Sequence, residues 1–227
     1  TGTGTEKDDN AAIQYWEKSA KLGNVHAQYS LAKRWLENGN ENVNKVLQWL
    51  QKASDGGHAM AQYSLGKFYL NGTAVEKDVS QAVRLFLLSA EQGNAYAAYQ
   101  LGKLYLSGDG IQKDIDSAVK WLKCSAEQRN QFAMYTLGKL YLLGEDVPQN
   151  IEKAVYYLKL SAEQNNEYAV YQLGKLYLTG ELVSKDMETA LYYLELSCDT
   201  FLTEKVRHKS NNKQGGKTIR LGELIIR

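Results

Sequence analysis

The sequence predicts an all-α fold, a right-handed α-solenoid superhelix of stacked antiparallel helix pairs with one pair in about 36 residues. The first observation is a ten-residue string that occurs four times, as YSLGKFYLNG at 63–72, YQLGKLYLSG at 99–108, YTLGKLYLLG at 135–144 and YQLGKLYLTG at 171–180. The second is a glycine inside that string, which recurs at a fixed spacing as Gly66, Gly102, Gly138 and Gly174. The third is the single proline in 227 residues, which favours a chain made mostly of helices.

The recurring string predicts the first helix of each pair. Ala97, Leu101 and Leu104 follow one another at spacings of three and four, as one face of a helix requires. Gly108 is predicted to end this helix, because the left-handed conformation just after a helix is easiest for glycine. A degenerate copy, YSLAKRWLENG, begins at Tyr29.

A second helix is predicted after a short loop in each pair. An N-cap acceptor is expected just before it, at Asp78, Asp114, Asn150 and Asp186. Gly93 and Asn94 read as a turn in which glycine closes one helix and asparagine caps the next. In a later copy Arg129 replaces this glycine, where a positive φ would strain it mildly. The copies add up to five helices of the first type and six of the second.

The small residues of the repeat have a predicted role in packing. Glycines such as Gly102 let neighbouring helices approach closely, while larger apolar side chains fill the gaps between turns. Because one pair of helices cannot bury its apolar face alone, consecutive pairs are expected to stack.

Three segments are predicted along the chain. Residues 1–7 read as a linker, and residues 8–200 as the solenoid of about five to six repeats. Residues 201–227 carry seven basic and two acidic side chains, and we expect a partial capping helix followed by a flexible basic tail. The remaining 200 residues carry 20 basic and 24 acidic side chains, so the predicted body is net negative.

The composition excludes several classes of protein. Lys plus Arg total 27 and Asp plus Glu total 26, so the global charge does not point to nucleic acid or to an anionic membrane. The longest apolar stretches resemble residues 85–88 and are too short to span a bilayer, so no membrane partner is predicted. Two cysteines cannot form a disulfide framework. No signal peptide is visible, and the expected location is the cytoplasm.

One family shares the pattern of these repeats. The pattern A-x-x-x-L-G-x-x-Y-x-x-G…V-x-K-D…A…S/A-A-E-x-G-N occurs here as Ala97, Leu101, Gly102, Tyr105, Gly108, Ile111, Lys113, Asp114, Ala118, Ser125, Ala126 and Glu127. It resembles the Sel-one-like (SLR) repeats, which are relatives of tetratricopeptide repeats. The resemblance implies an adaptor or scaffold with a concave binding face. The amino-acid sequence of the repeats is also similar to the repeat tails of mobilisation relaxases, although no relaxase catalytic segment lies within these residues.

The sequence offers little for catalysis. His26, His58 and His208 have no metal-like spacing, and the first two read as surface residues at helix starts. Cys124 and Cys198 take positions that hold leucine or alanine in other copies, which predicts buried thiols. The cysteine pairs of the secreted, penicillin-binding branch of the resembling family are missing. No catalytic residue, cofactor or metal site is therefore predicted.

A row of tyrosines and lysines is the candidate site. Each lysine follows a tyrosine by four residues, so the two share one face of a first-type helix. We call these residues the Tyr–Lys row: Tyr29, Lys33, Tyr63, Lys67, Tyr99, Lys103, Tyr135, Lys139, Tyr171 and Lys175. First helices line the concave side in tetratricopeptide-like solenoids, so the row would suit an extended acidic peptide or a single strand of nucleic acid. The competing interpretation is that tyrosine packs between helices and lysine is merely solvated.

These observations together predict a non-enzymatic scaffold or adaptor that binds other proteins. Its concave groove would receive an extended, acidic segment of a protein or peptide, and the chain would belong to a larger bacterial protein. The alternative is an accessory repeat region of a mobilisation relaxase or of another nucleic-acid-processing protein. The net negative body disfavours a nucleic-acid partner, because phosphate binding needs a basic surface.

Overall fold

The computed structural model describes residues 9–37 and 43–197, and this part of the chain contains eleven helices and no strand. The eleventh helix, α11, occupies residues 187–197. The other ten are α1 (Asp9–Lys21), α2 (Val25–Glu37), α3 (Val43–Asp55), α4 (Ala59–Asn71), α5 (Val79–Glu91), α6 (Ala95–Ser107), α7 (Ile115–Glu127), α8 (Gln131–Leu143), α9 (Ile151–Glu163) and α10 (Glu167–Thr179). The predicted all-α class is confirmed.

The helices alternate between the two predicted types. The first type comprises α2, α4, α6, α8 and α10, and the second type comprises α1, α3, α5, α7, α9 and α11. From α1 to α10 each helix packs against the next one along the chain, while contacts between more distant helices are sparse. This nearest-neighbour packing is what a solenoid of repeated helix pairs requires.

Caps end the helices where the sequence places them. Gly108 has a φ of 71° and closes α6, with its N–H donating to the carbonyl of Leu104. Asp114 then caps α7 by accepting a hydrogen bond from the backbone N–H of Ser117. Between α7 and α8, Arg129 has a φ of 62°, which is the left-handed conformation expected from its place in the turn.

Glycines let the two helices approach closely in four of the described pairs. A Cβ atom on Gly102 would lie 2.6 Å from Cγ of Leu122 and 3.2 Å from its backbone nitrogen. The same geometry recurs in other pairs, at 2.7 Å between Gly66 and Phe86 and at 2.8 Å for Gly138 with Leu158 and Gly174 with Leu194. Any larger residue would push the helices apart, so the fixed spacing of these glycines reflects packing.

Buried serines form hydrogen bonds between the two helices of three pairs, α4 with α5, α6 with α7 and α8 with α9. In the second-type helices α5, α7 and α9, one buried serine hydroxyl donates to the carbonyl of the first residue of the preceding first-type helix. The three bonds join Ser89 to Ala59 at 2.6 Å, Ser125 to Ala95 at 2.7 Å and Ser161 to Gln131 at 2.8 Å. All three serines are completely buried, where a hydroxyl needs a partner.

Some predictions fall outside the described residues. These are the linker at 1–7, the capping helix and basic tail at 201–227, His208 and Cys198. They stay predictions.

Candidate functional site

The Tyr–Lys row lies on the five first-type helices. All five lysines are exposed. Tyr29, Tyr63, Tyr99 and Tyr135 are half-buried, whereas Tyr171 on α10 is 54% exposed. The tyrosines therefore combine both interpretations of the sequence, since part of each half-buried ring packs between helices and part faces outward.

Tyrosine and lysine of one helix touch in the middle of the row. The ammonium nitrogen of Lys67 lies 5.9 Å from the ring centre of Tyr63, and that of Lys103 lies 5.8 Å from the ring centre of Tyr99. These are weak cation–π contacts at an exposed position. They hold each cation beside an aromatic ring and leave its N–H groups open to a ligand.

A second set of aromatic rings joins neighbouring first-type helices, and the sequence analysis missed it. The ring centres are 6.0 Å apart for Tyr63 and Tyr96, 6.0 Å for Tyr99 and Phe132, and 5.9 Å for Tyr135 and Tyr168. We call Tyr96, Phe132 and Tyr168 the bridging rings; they are 53%, 43% and 68% exposed. Their own 36-residue spacing, three positions before a tyrosine of the row, was the signal available in the sequence.

The amino-terminal end of the row is built differently. The ring of Tyr29 stacks on His58 at 4.5 Å, and His58 meets His26 edge to face at 5.0 Å. Lys33 forms a salt bridge with Glu37 at 3.8 Å. The first Tyr–Lys pair is thus flanked by imidazoles and has a carboxylate beside its cation.

A cavity of about 760 Å³ lies over α6 and α8. Two pairs of the row line it, Tyr99 with Lys103 and Tyr135 with Lys139, so the structure brings these four side chains together. Leucines from the last turns of α4, α6 and α8 add an apolar part: Leu70, Leu104, Leu106, Leu140 and Leu143. The other six residues of the row lie outside this lining.

Among the described residues that line this cavity, the acidic ones stand only at its loop edge. Asp109 lies in the loop after α6, and Glu145 and Asp146 lie in the loop after α8. Lys113 forms a salt bridge with Asp146, which reduces the negative charge at that edge. The helical part of the described lining therefore combines lysines and tyrosines with leucines and carries no carboxylate.

Two tyrosines of the row, Tyr63 and Tyr135, have a raised pKa. Partial burial raises the pKa of Tyr63, and the nearby Tyr96 and Tyr29 raise it further, while a hydrogen bond with Gln100 opposes the change. Burial and then the nearby Tyr168 raise the pKa of Tyr135. These two phenols therefore stay protonated near neutral pH, and the charge beside them comes from the lysines.

The remaining candidates for chemistry have structural surroundings. Nδ1 of His58 accepts the backbone N–H of Ala61 at 3.3 Å and so caps α4, in agreement with its predicted place at a helix start. Cys124 on α7 is a free thiol that is half-buried rather than fully buried as the sequence predicts. Leu88 holds the same position on α5 and is also partly exposed. Residues 9–37 and 43–197 contain no cluster of three potential metal ligands. In the same ranges no helix has the length and apolar character that a membrane span needs.

Stacked helix pairs with one exposed aromatic and basic face define a repeat protein of the α-solenoid class. The model of one family, the Sel1 repeat, matches six consecutive segments at residues 1–24, 25–58, 59–94, 95–130, 131–166 and 167–199. The chain therefore belongs to the Sel1 repeat family. Proteins of this family are generally non-catalytic repeat scaffolds that act in protein interactions.

Two solved structures of bacterial proteins share the fold. A Sel1 repeat protein from Oxalobacter formigenes is 29% identical, with a TM-score of 0.80 over 88% of this chain and 82% of that one. The protective antigen c5321 of uropathogenic Escherichia coli, described as displaying an SLR fold, is 27% identical with a TM-score of 0.78. That match covers 83% of this chain but only 41% of the E. coli protein. No curated protein matches the chain.

Proposed function

We propose that this chain is a non-enzymatic protein-interaction module whose Tyr–Lys row binds an extended, acidic segment of a partner protein. The observation that carries the proposal is the cavity of about 760 Å³ where two successive Tyr–Lys pairs meet. We also propose that the module is part of a larger bacterial protein, since the antigen c5321 is more than twice as long as the region it shares with this chain.

The chemistry of the cavity supports an acidic ligand. Lys103 and Lys139 offer ammonium donors for carboxylates, and Tyr99 and Tyr135 offer phenol hydroxyls and ring surface. Because the lysines are exposed, each ion pair would contribute only about 0–1 kcal/mol. Useful affinity would therefore need several pairs at once, which an extended segment along the row could supply.

A charge reversal tests this function. Changing Lys67, Lys103 and Lys139 together to glutamate is expected to abolish salt-sensitive binding of a poly-glutamate probe, with circular dichroism unchanged. The matched control changes Arg84, Lys120 and Lys123 to glutamate, which alters the charge equally on exposed positions of α5 and α7. The control should retain binding.

Two results would contradict the proposal. Equal loss of binding in both triple variants would show that only the net charge matters. A single-stranded oligonucleotide that binds the wild-type chain more tightly than poly-glutamate at the same salt concentration would favour the nucleic-acid alternative.

A further inference from the structure

We propose that the segment bound by the Tyr–Lys row is proline-rich, adopts the polyproline II conformation and carries a carboxylate at every third residue. This inference rests on the proposed function, because it specifies the conformation and sequence pattern of the ligand for the same face. It comes from the regularity of the row and from the bridging rings.

The ring contacts of the row repeat with nearly constant geometry from α4 to α10. Each contact between neighbouring first-type helices from α4 to α10 places two ring centres 5.9 or 6.0 Å apart. Within single helices the two measured Lys-to-ring distances differ by only 0.1 Å, at 5.9 Å for Lys67 and 5.8 Å for Lys103. Each first-type helix therefore offers one exposed lysine at the equivalent position beside these rings.

The spacing of these lysines selects a ligand conformation. Successive first-type helices touch through ring pairs whose centres are 5.9 or 6.0 Å apart. Helices that lie side by side are about 8–10 Å apart, and we take this range as the expected spacing of the lysines from one repeat to the next. A polyproline II helix rises about 3.1 Å per residue with three residues per turn, so one of its edges repeats about every 9 Å. A β-strand presents the same side about every 6.6 Å, and an α-helix has a pitch of about 5.4 Å. Of the two extended conformations, the polyproline II edge matches this spacing and the β-strand does not.

The bridging rings supply surface for prolines. Tyr96 lies three residues before Tyr99 and seven before Lys103, so all three share one face of α6. Tyr96, Phe132 and Tyr168 are about half exposed, although each also touches a tyrosine of the row. Proline-rich segments commonly dock on aromatic grooves, because their preformed conformation loses little entropy on binding.

Charge fixes which edge of the ligand faces the row. The carboxylates lining the cavity stand in loops, and Asp146 among them is paired with Lys113. Lys103 and Lys139 project from the helices beside the rings. An acidic edge would therefore lie over the first-type helices, with the proline edges against the rings.

The experiment compares two peptides that differ by one residue. The first has four Glu-Pro-Pro triplets, and the second has one extra proline inserted between the second and third triplet. The insertion keeps the charge but shifts one half of the peptide by about 3.1 Å and turns it by a third of a rotation. Binding is measured by fluorescence polarisation to the full chain at low salt.

The uninterrupted peptide is expected to bind at least about tenfold more tightly, because the interrupted peptide can engage only half of the row at a time. Changing Phe132 and Tyr168 together to alanine should reduce this preference, while poly-glutamate binding should persist. Equal affinities for the two peptides would overturn the polyproline II inference and leave acidic-peptide binding intact. Failure of both peptides and of poly-glutamate to bind would overturn the proposed function itself.

Discussion

The first complete helix pair, α2 and α3, differs from the middle pairs in how closely its helices can approach. Ala32 stands at the position that is Gly102 in α6, and it is fully buried against a core that includes Leu50. In the middle pair, by contrast, a Cβ atom at Gly102 would lie 2.6 Å from Leu122. The same repeat pattern thus tolerates a methyl group in the first pair and excludes it in the later one.

Polar groups are also satisfied less completely in the first pair. Oε1 of Gln62 on α4 accepts a hydrogen bond from Gln92 at 2.8 Å. Gln28 holds the same position on α2, but its Oε1 is buried and has no hydrogen-bond partner in the described chain. The physical reason is that the turn after α3 has Gly56 at the position that Gln92 holds in the turn after α5. Ala53 likewise stands at the position of Ser89, so the first pair lacks the hydrogen bond that this serine forms between α5 and α4.

The difference locates the weak end of the described solenoid. A buried acceptor without a partner costs about 1–3 kcal/mol, and each missing hydrogen bond removes about 1 kcal/mol. In a solenoid each pair is stabilised mainly by itself and its neighbours, so these losses stay local. We expect amide hydrogen exchange to be faster in α2 and α3 than in α6 to α9.

The largest effect is expected from overpacking a middle pair. Gly102→Leu should lower the free energy of unfolding by about 1–3 kcal/mol, because the new side chain would occupy the space of Leu122. Denaturation by urea measures the change. Ala32→Gly in the first pair is the control, with a loss of about 1 kcal/mol from helix propensity. An unchanged midpoint for Gly102→Leu would mean that the position is open.

The glycine contact shows how far the sequence predicted the fold. Repeated short-range patterns were enough to predict both helix types and the cap at Asp114, because these depend on local spacing. The close approach at Gly102 was predicted from the recurrence of a glycine in the middle of a helix. The pairing of Ser125 with Ala95 was not predicted, since it joins residues 30 positions apart. The recurring serine was visible, but its partner required the geometry of the helix pair.

The candidate site was predicted in part for the same reason. Tyr99 and Lys103 share a helix, so their spacing was informative. The contact between Tyr99 and Phe132 crosses between two helices and depends on how far the repeats are offset. The sequence also could not distinguish a packed tyrosine from an exposed one, because these rings are partly both.

The second prediction concerns a pH-sensitive helix cap. His58 caps α4, directly after the first pair, whereas Asn130 caps α8 among the middle pairs. Partial burial lowers the pKa of His58 from its ordinary value of 6.5, and the nearby His26 lowers it further, while a backbone hydrogen bond opposes the change. The folded chain therefore binds this proton less readily than the unfolded chain. The stabilisation is fully present above pH 6.5 and is lost as the pH falls through the lowered pKa. Protonation also removes the lone pair that caps α4 and places a cation at its N-terminus.

His58→Asn should weaken the loss of stability between about pH 7.5 and pH 5, because asparagine caps a helix without titrating. Asn130→His should introduce such a loss at α8, where Asn130 now accepts hydrogen bonds from Phe132 and Ala133. Thermal unfolding of both variants across this pH range measures the effect. A wild-type slope that survives in His58→Asn would assign the pH dependence to other groups.

The smallest effect is expected from the ion pairs of the two regions. Lys113 and Asp146 join the loops of successive middle repeats, whereas Lys33 and Glu37 lie one turn apart on α2. Both pairs are exposed in part, with side-chain exposures of 49% and 30% in the first and 59% and 48% in the second. Water and salt screen such charges, so each pair should contribute at most about 1 kcal/mol.

A double-mutant cycle with Lys113→Met and Asp146→Asn should give a coupling that shrinks in 0.5 M salt. The cycle with Lys33→Met and Glu37→Gln should give about 0.3–0.5 kcal/mol, the usual value within one helix. A loop coupling that exceeds 2 kcal/mol and resists salt would show that the loops, and not only the glycine and serine contacts, make the middle repeats more stable than the first pair.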